Sequence, residues 1–193
     1  MAKNQKLSTS EFRQQILDPD RVIFLDIDGV LNSGFWNQRH QKEISEGKLV
    51  DGEKVKLLSQ LVKRTKAGLV LHSGWRFWFD GNGKPLRTEA RYLADLLAEE
   101  GLQLLDMTPD LTTEEIRRTK KFSLVKADEI LLWLKFHGSV SGWAVLEDLD
   151  LHREEFEGHQ VKTDPWVGLT RKDIAQAEKI LNAHMGRAHA PKA

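Results

Sequence analysis

The sequence predicts an α/β fold, a mainly parallel five-stranded sheet with helices on both faces. Three observations carry that expectation. Short apolar runs of strand length recur along the chain, at Val22 to Leu25, Leu69 to Leu71, Leu102 to Leu105, Trp143 to Leu146 and, more weakly, His159 to Thr163. Segments with apolar residues at helical spacing lie between them, and parallel neighbours need such crossovers. Three of the runs also end in polar clusters, Asp26 to Asp28, Ser73 to Arg76 and Glu147 to Asp150. Reactive groups of open α/β sheets gather beyond the carboxyl ends of their strands.

Taken in order, Ser8 and Glu11 have capping-box spacing ahead of Phe12, Ile16 and Leu17, so residues 1–20 read as a helical extension that stops before Pro19. Val22 to Leu25 is short, partly β-branched and bounded by turn formers, which makes it a buried strand. Residues 33–50 are irregular and form a small flap. Val55, Leu58, Leu61 and Val62 then share a helix face, with Gly68 placed to end that helix. Gly81 to Pro85 is a loop, and Leu93, Leu96 and Leu97 mark a second helix stopped by Gly101. Ile130, Leu131 and Leu134 give a third, closed by Gly138. Thr170 and Asp173 cap a last helix carrying Ile174, Ala177, Ile180 and Leu181 on one side. The main domain is expected over residues 21–185, with a frayed tail at 186–193.

Composition narrows the function classes. The chain has 193 residues, enough for one sizeable core but short for two domains. Its 29 basic and 29 acidic residues cancel, so no whole-molecule field draws it to nucleic acid or anionic membrane. The absence of cysteine excludes disulfides, thiolate metal sites and Cys nucleophiles, and makes the reducing cytoplasm the expected location. Met1 to Glu11 lacks a secretory h-region, and no segment approaches the roughly 18 apolar residues that span a bilayer. No Gly-x-x-x-x-Gly-Lys-Ser/Thr loop is present, so kinase chemistry of that type is not expected.

The chemistry starts at Asp26. A carboxylate is ionised at neutral pH and can attack phosphorus directly. A second carboxylate two residues on, Asp28, can protonate a leaving oxygen and later deprotonate water. Gly29 lets the chain turn sharply behind them. With the preceding strand, Val22 to Asn32 resembles the first motif of the haloacid dehalogenase (HAD) superfamily, Asp-x-Asp-Gly after an apolar strand. Leu69 to Arg76 resembles the second, in which Ser73 would hydrogen-bond the phosphoryl group, with Gly74 beside it; taken alone, such a serine reads as a turn residue or helix cap. Arg76 can bind phosphate oxygens in a fork, or serve a surface ion pair. For the third motif, a base between nucleophile and phosphate, the choice is Lys126, with Arg118, Lys120 and Lys121 as competitors. Trp143 to Asp150 resembles the fourth, an acidic strand end completing an oxygen-only magnesium site. Asp26, the backbone of Asp28 and Asp148 are the expected metal ligands, with Glu147 and Asp150 as alternates.

Asp28 to Asn32, Ser73 to Arg76, and Thr163-Asp164 with Gly168 to Thr170 are similar to the small HAD domains of Swiss Army Knife-type RNA repair proteins. That resemblance implies a Rossmann-like HAD fold with a minimal cap. It also implies a magnesium-dependent phosphatase for nucleotide or polynucleotide terminal phosphates, an RNA or DNA end among them. Phe35, Trp36, Arg39, His40 and Lys42 are placed to line an uncovered opening or to pack the flap on the core, and Trp75, Phe77, Trp78 and Phe79 read as core. The competing reading is a silent nucleic-acid or phosphoprotein binding module, against which stands the retention of two adjacent carboxylates.

Overall fold

The computed structural model describes residues 20–119 and 122–183. The expected N-terminal helix around Ser8 and Glu11, the competitors Lys120 and Lys121, and the tail at 186–193 lie outside the described residues. Five strands form one sheet: β1 (Arg21–Leu25), β2 (Gly68–Leu71), β3 (Leu104–Met107), β4 (Gly142–Glu147) and β5 (Gln160–Lys162). Every pairing is parallel, and the order is β3-β2-β1-β4-β5. The chain builds outward from β1 on one side and then returns to β1 to build the other. The crevice of a doubly wound sheet opens at that reversal, beyond the carboxyl end of β1.

The helices are α1 (Gly34–Arg39), α2 (Gln41–Ser45), α3 (Gly52–Thr65), α4 (Thr88–Glu99), α5 (Glu114–Thr119), α6 (Phe122–Phe136) and α7 (Arg171–Asn182). Strand alternation divides the apolar side chains between the two faces of the sheet. Ile23, Leu25, Leu69, Leu71, Ala144 and Leu146 pack with Leu58 and Leu61 of α3, Leu93 of α4, and Ile174 and Leu181 of α7. Val22, Phe24, Val70 and Val145 pack on the opposite face with Ala127, Ile130 and Trp133 of α6. Each large side chain buried this way contributes about 1.5–3 kcal/mol.

Several boundaries differ from expectation for local reasons. Gly68 does not end α3; it opens β2, and the cap is Lys66 in the left-handed region at φ 59°. Thr65 Oγ1 donates to Leu61 O at 2.8 Å and accepts from Ala67 N at 3.4 Å, which helps fold the chain back early. The third strand starts two residues late because Leu102 belongs to the cap of α4. Its N–H donates to Leu97 O and that of Gly101 to Ala98 O, a Schellman arrangement with Gly101 at φ 72°. Helix α6 begins at Phe122, so Lys126 lies one turn inside it rather than at its start. The capping box of Thr170 and Asp173 forms as the sequence indicates.

Candidate active site

The register of the three central strands places the polar row. Leu25 is level with Leu71 and Leu146, so the next level holds Asp26, His72 and Glu147. Two further backbone bonds hold that level, Asp26 N to Leu146 O at 3.0 Å and His72 N to Leu25 O at 2.8 Å. With a period of two, these residues continue the series Phe24, Val70 and Val145, on the face covered by α6. Lys126 reaches the row from α6. Its Nζ donates to Asp26 Oδ2 at 2.8 Å and to Glu147 Oε2 at 2.6 Å. Asp148 completes the group: one oxygen each from Asp26, Glu147 and Asp148 lies within 4.8 Å of the others.

Three carboxylates therefore face one ammonium, a local excess of two negative charges when all are ionised. Asp26 and Glu147 are buried, which makes that excess costly. Burial, followed by the nearby charge of Asp26, pushes Glu147 well above the ordinary carboxylate range, and Lys126 only partly offsets this. Desolvation alone would lower Lys126. The attraction of Asp26 and Glu147 outweighs it, and the ammonium is held more firmly than a free lysine. An oxygen-only donor set with surplus negative charge fits a hard divalent cation such as magnesium.

Asp28 sits on the turn beyond β1. Its two oxygens accept from Asn32 Nδ2 at 2.8 Å and from Trp75 Nε1 at 3.1 Å. Although the residue presents surface to solvent, neighbouring protein displaces enough water from its carboxyl to raise the pKa. The charge of Asp26 adds to the rise, while the bonds from Asn32 and Trp75 oppose it. Gly29 has φ 73°, and a Cβ there would stand 2.6 Å from Asp148 Cγ. The glycine thus makes the turn and leaves room for the acid of the opposing strand end.

Ser73 is fully buried at the start of a 3-10 turn, Gly74–Trp78, and its Oγ accepts from Trp75 N at 3.4 Å. Nothing lies within 4 Å of a Cβ added at Gly74, so the backbone beside Ser73 is open to approach. Arg76 is engaged by α6 and by its own turn. Its Nη2 pairs with Glu129 Oε1 of α6 at 2.7 Å and its Nη1 donates to Ser73 O at 3.0 Å. Asp150 stands apart in the loop after β4, beside His152 and Lys162, and Arg118 is exposed on α5. Of the aromatic cluster, Trp75 and Phe79 are buried while Phe77 is exposed. His159 stacks on Trp143 with ring centroids 3.8 Å apart.

Sequence reasoning missed the supports. Asn32 and Trp75 hold Asp28, Glu129 braces Arg76, and Thr163 Oγ1 donates to Gly29 O at 2.9 Å. His72 Nε2 is 3.9 Å from Glu147 Oε2, a proximity that the continuous apolar run of β2 does not signal. Among the described residues no helix is long and apolar enough to cross a membrane.

The model of one protein family, described as the HAD domain in Swiss Army Knife RNA repair proteins, matches residues 22–174. That span holds β1 from Val22 onward, the other four strands whole and every residue of the polar row. No curated protein and no solved structure matches the chain.

Proposed function

Because the chain belongs to the family of HAD domains found in Swiss Army Knife RNA repair proteins, we propose that it is a magnesium-dependent phosphatase that hydrolyses terminal phosphate monoesters of nucleotides or polynucleotides. The observation that carries this reading is the pairing of Asp26 with Lys126 inside an acidic group, with Asp28 held two residues away by Asn32 and Trp75.

In this mechanism Asp26 attacks phosphorus. A bond forms from its carboxylate oxygen to phosphorus as the bond to the leaving oxygen breaks, giving an aspartyl phosphate. Asp28, whose raised pKa favours carrying a proton, donates it to the leaving alcohol. Water then attacks the same phosphorus, Asp28 takes the water's proton, and the bond to Asp26 breaks to release inorganic phosphate. In this reading Ser73 and the backbone at Gly74 would orient phosphoryl oxygens, and the Lys126 ammonium would offset charge between nucleophile and phosphate. Asp26, Asp148 and the backbone carbonyl of Asp28 would hold magnesium, with Glu147 supporting; the bound ion would neutralise charge on the phosphoryl group. In this reading residues 21–185 are the catalytic domain and the segment at 33–50, which carries the short helices α1 and α2, is a flap too small to cover a large substrate.

The test is phosphate release, with and without magnesium, from an aryl phosphate, mononucleotides, and RNA and DNA oligomers phosphorylated at either end, compared with Asp26→Asn. Magnesium-dependent release that falls by at least a thousandfold in the variant is expected. Undiminished hydrolysis by Asp26→Asn would end the proposal, and silence of the unaltered protein across the panel would favour a binding module.

A further inference from the structure

We propose that Phe35 and Trp166 form a nucleobase-stacking platform for the single-stranded end of a polynucleotide whose terminal phosphate enters at Asp26. The inference rests on the phosphatase reading and names its substrate class. Single exposed apolar residues are ordinary on protein surfaces. These two differ in being large aromatics on separate segments, the first turn of α1 and the loop after β5, that are fastened to each other and to the turn carrying Asp28. Trp166 is 54% exposed and Phe35 45%.

The fastening is specific. Gly34 N donates to Pro165 O at 2.9 Å and Phe35 N to Trp166 O at 3.0 Å, which joins the start of α1 to the Trp166 loop. A Cβ at Gly34 would stand 2.4 Å from Trp166 Cε3, so the indole rests against bare backbone there, and more than half of the residue remains open to solvent. Asp164 Oδ1 accepts from Trp166 N at 2.8 Å, and Asp164 O from Gly168 N at 2.7 Å, which holds the loop in shape. The same loop is tied to the turn after β1 by Thr163 Oγ1 to Gly29 O at 2.9 Å and Leu169 N to Val30 O at 2.8 Å. Both segments follow the carboxyl ends of strands, α1 after β1 and the Trp166 loop after β5, the edge of the sheet on which Asp26 lies.

An exposed indole backed by Gly34 and an exposed phenyl ring on the adjoining backbone each suit a flat, apolar-faced partner, and every nucleobase presents one. The cation needed for the accompanying phosphodiester is also in place: the Arg39 guanidinium lies 4.3 Å from the centroid of the Phe35 ring. With zero formal net charge, the protein has no overall attraction for a polyanion, so stacking and this local cation would hold the strand.

Two measurements test the platform. The first is anisotropy binding of a labelled single-stranded oligonucleotide with a terminal phosphate, RNA and DNA in separate arms, to Asp26→Asn protein with and without Trp166→Ala, Trp166→Phe or Phe35→Ala. The second is the ratio of kcat/KM for the oligonucleotide to that for a small aryl phosphate in the nucleophile-intact proteins. Trp166→Ala is expected to weaken binding and lower the ratio about tenfold, with Trp166→Phe restoring most of both. Binding and ratio within twofold of the parent protein for both Trp166→Ala and Phe35→Ala would overturn the platform. Failure of the unaltered protein to hydrolyse any ester would sink the phosphatase reading instead, while the binding arm still decides the platform.

Discussion

His72 shows how a residue outside the chemistry can set the conditions under which the site exists. It lies at the level of Asp26 and Glu147, fully buried, with Nδ1 3.3 Å from Thr108 Oγ1. Burial, then the charges of Lys126 and Arg76, push its pKa well below the ordinary 6.5, so it stays neutral in the fold. In the unfolded chain it takes up a proton below about pH 6.5. The unfolded state then binds more protons than the folded one, and stability falls as pH drops below 6.5, by up to about 1.4 kcal/mol per pH unit from this group. His72→Gln should remove that slope while keeping a polar side chain near Thr108. Urea unfolding midpoints from pH 7.5 to 5 would check it, and equal slopes in the two proteins would reject this role. At this scale the sequence named Asp26 and Asp28 as candidates because strand-end acids leave a local pattern, while Lys126 was one choice beside Arg118, Lys120 and Lys121, and the structure brings Lys126 onto Asp26. The bonds from Asn32 and Trp75 to Asp28 leave none across 47 residues in the case of Trp75, since only the fold brings that indole to the acid.

At the scale of elements, the turn after β2 and helix α6 are joined by Arg76 and Glu129. Both are buried, and Glu129 follows Lys126 by one helical turn. The guanidinium also holds the carbonyl of Ser73, so one ion pair connects the serine's turn to the helix that delivers Lys126. Arg76 was a candidate phosphate ligand in the sequence because an arginine near a strand end is indistinguishable from one that will find a buried acid 53 residues later. Removing one partner of a buried pair leaves the other charge stranded, whereas replacing both with apolar groups is often close to neutral. Arg76→Met should therefore cost about 3–5 kcal/mol, and Arg76→Met with Glu129→Leu should recover most of it. Denaturant titration of the three proteins checks the stability cycle. If the pair acts as a brace, phosphatase activity returns with stability in the double variant; activity that stays lost in a fully folded double variant would instead make Arg76 a phosphate ligand. The elements themselves were legible wherever periodicity was long, as in α3, α4 and α7. The short α5 and the late start of β3 were not, because one is too brief for a periodic signal and the other is set by the Schellman cap at Gly101 and Leu102.

For the whole molecule, the parallel sheet concentrates at one edge what the composition balances overall. Formal charge is zero, yet Asp26, Glu147 and Asp148 meet at the switch point and, among the described residues, Lys126 is the cation paired with them. With all three acids ionised, such a site would repel a phosphate dianion, and a bound divalent cation would offset that charge. Magnesium should accordingly stabilise the folded chain, because the unfolded chain cannot assemble ligands from the ends of both β1 and β4. Linkage gives about 2.7 kcal/mol at a concentration one hundred times Kd, which for a chain of this size is roughly 5–10 °C in Tm. The comparison is thermal unfolding in magnesium chloride against sodium chloride of equal ionic strength, for the unaltered protein and Asp148→Asn. A rise confined to magnesium and largely lost in the variant would mean that the acidic group is a metal site whether or not a substrate is ever found. An equal rise in sodium would mean that the excess charge is merely screened, and Glu147, pushed upward by burial and by Asp26, would then relieve it by keeping its proton.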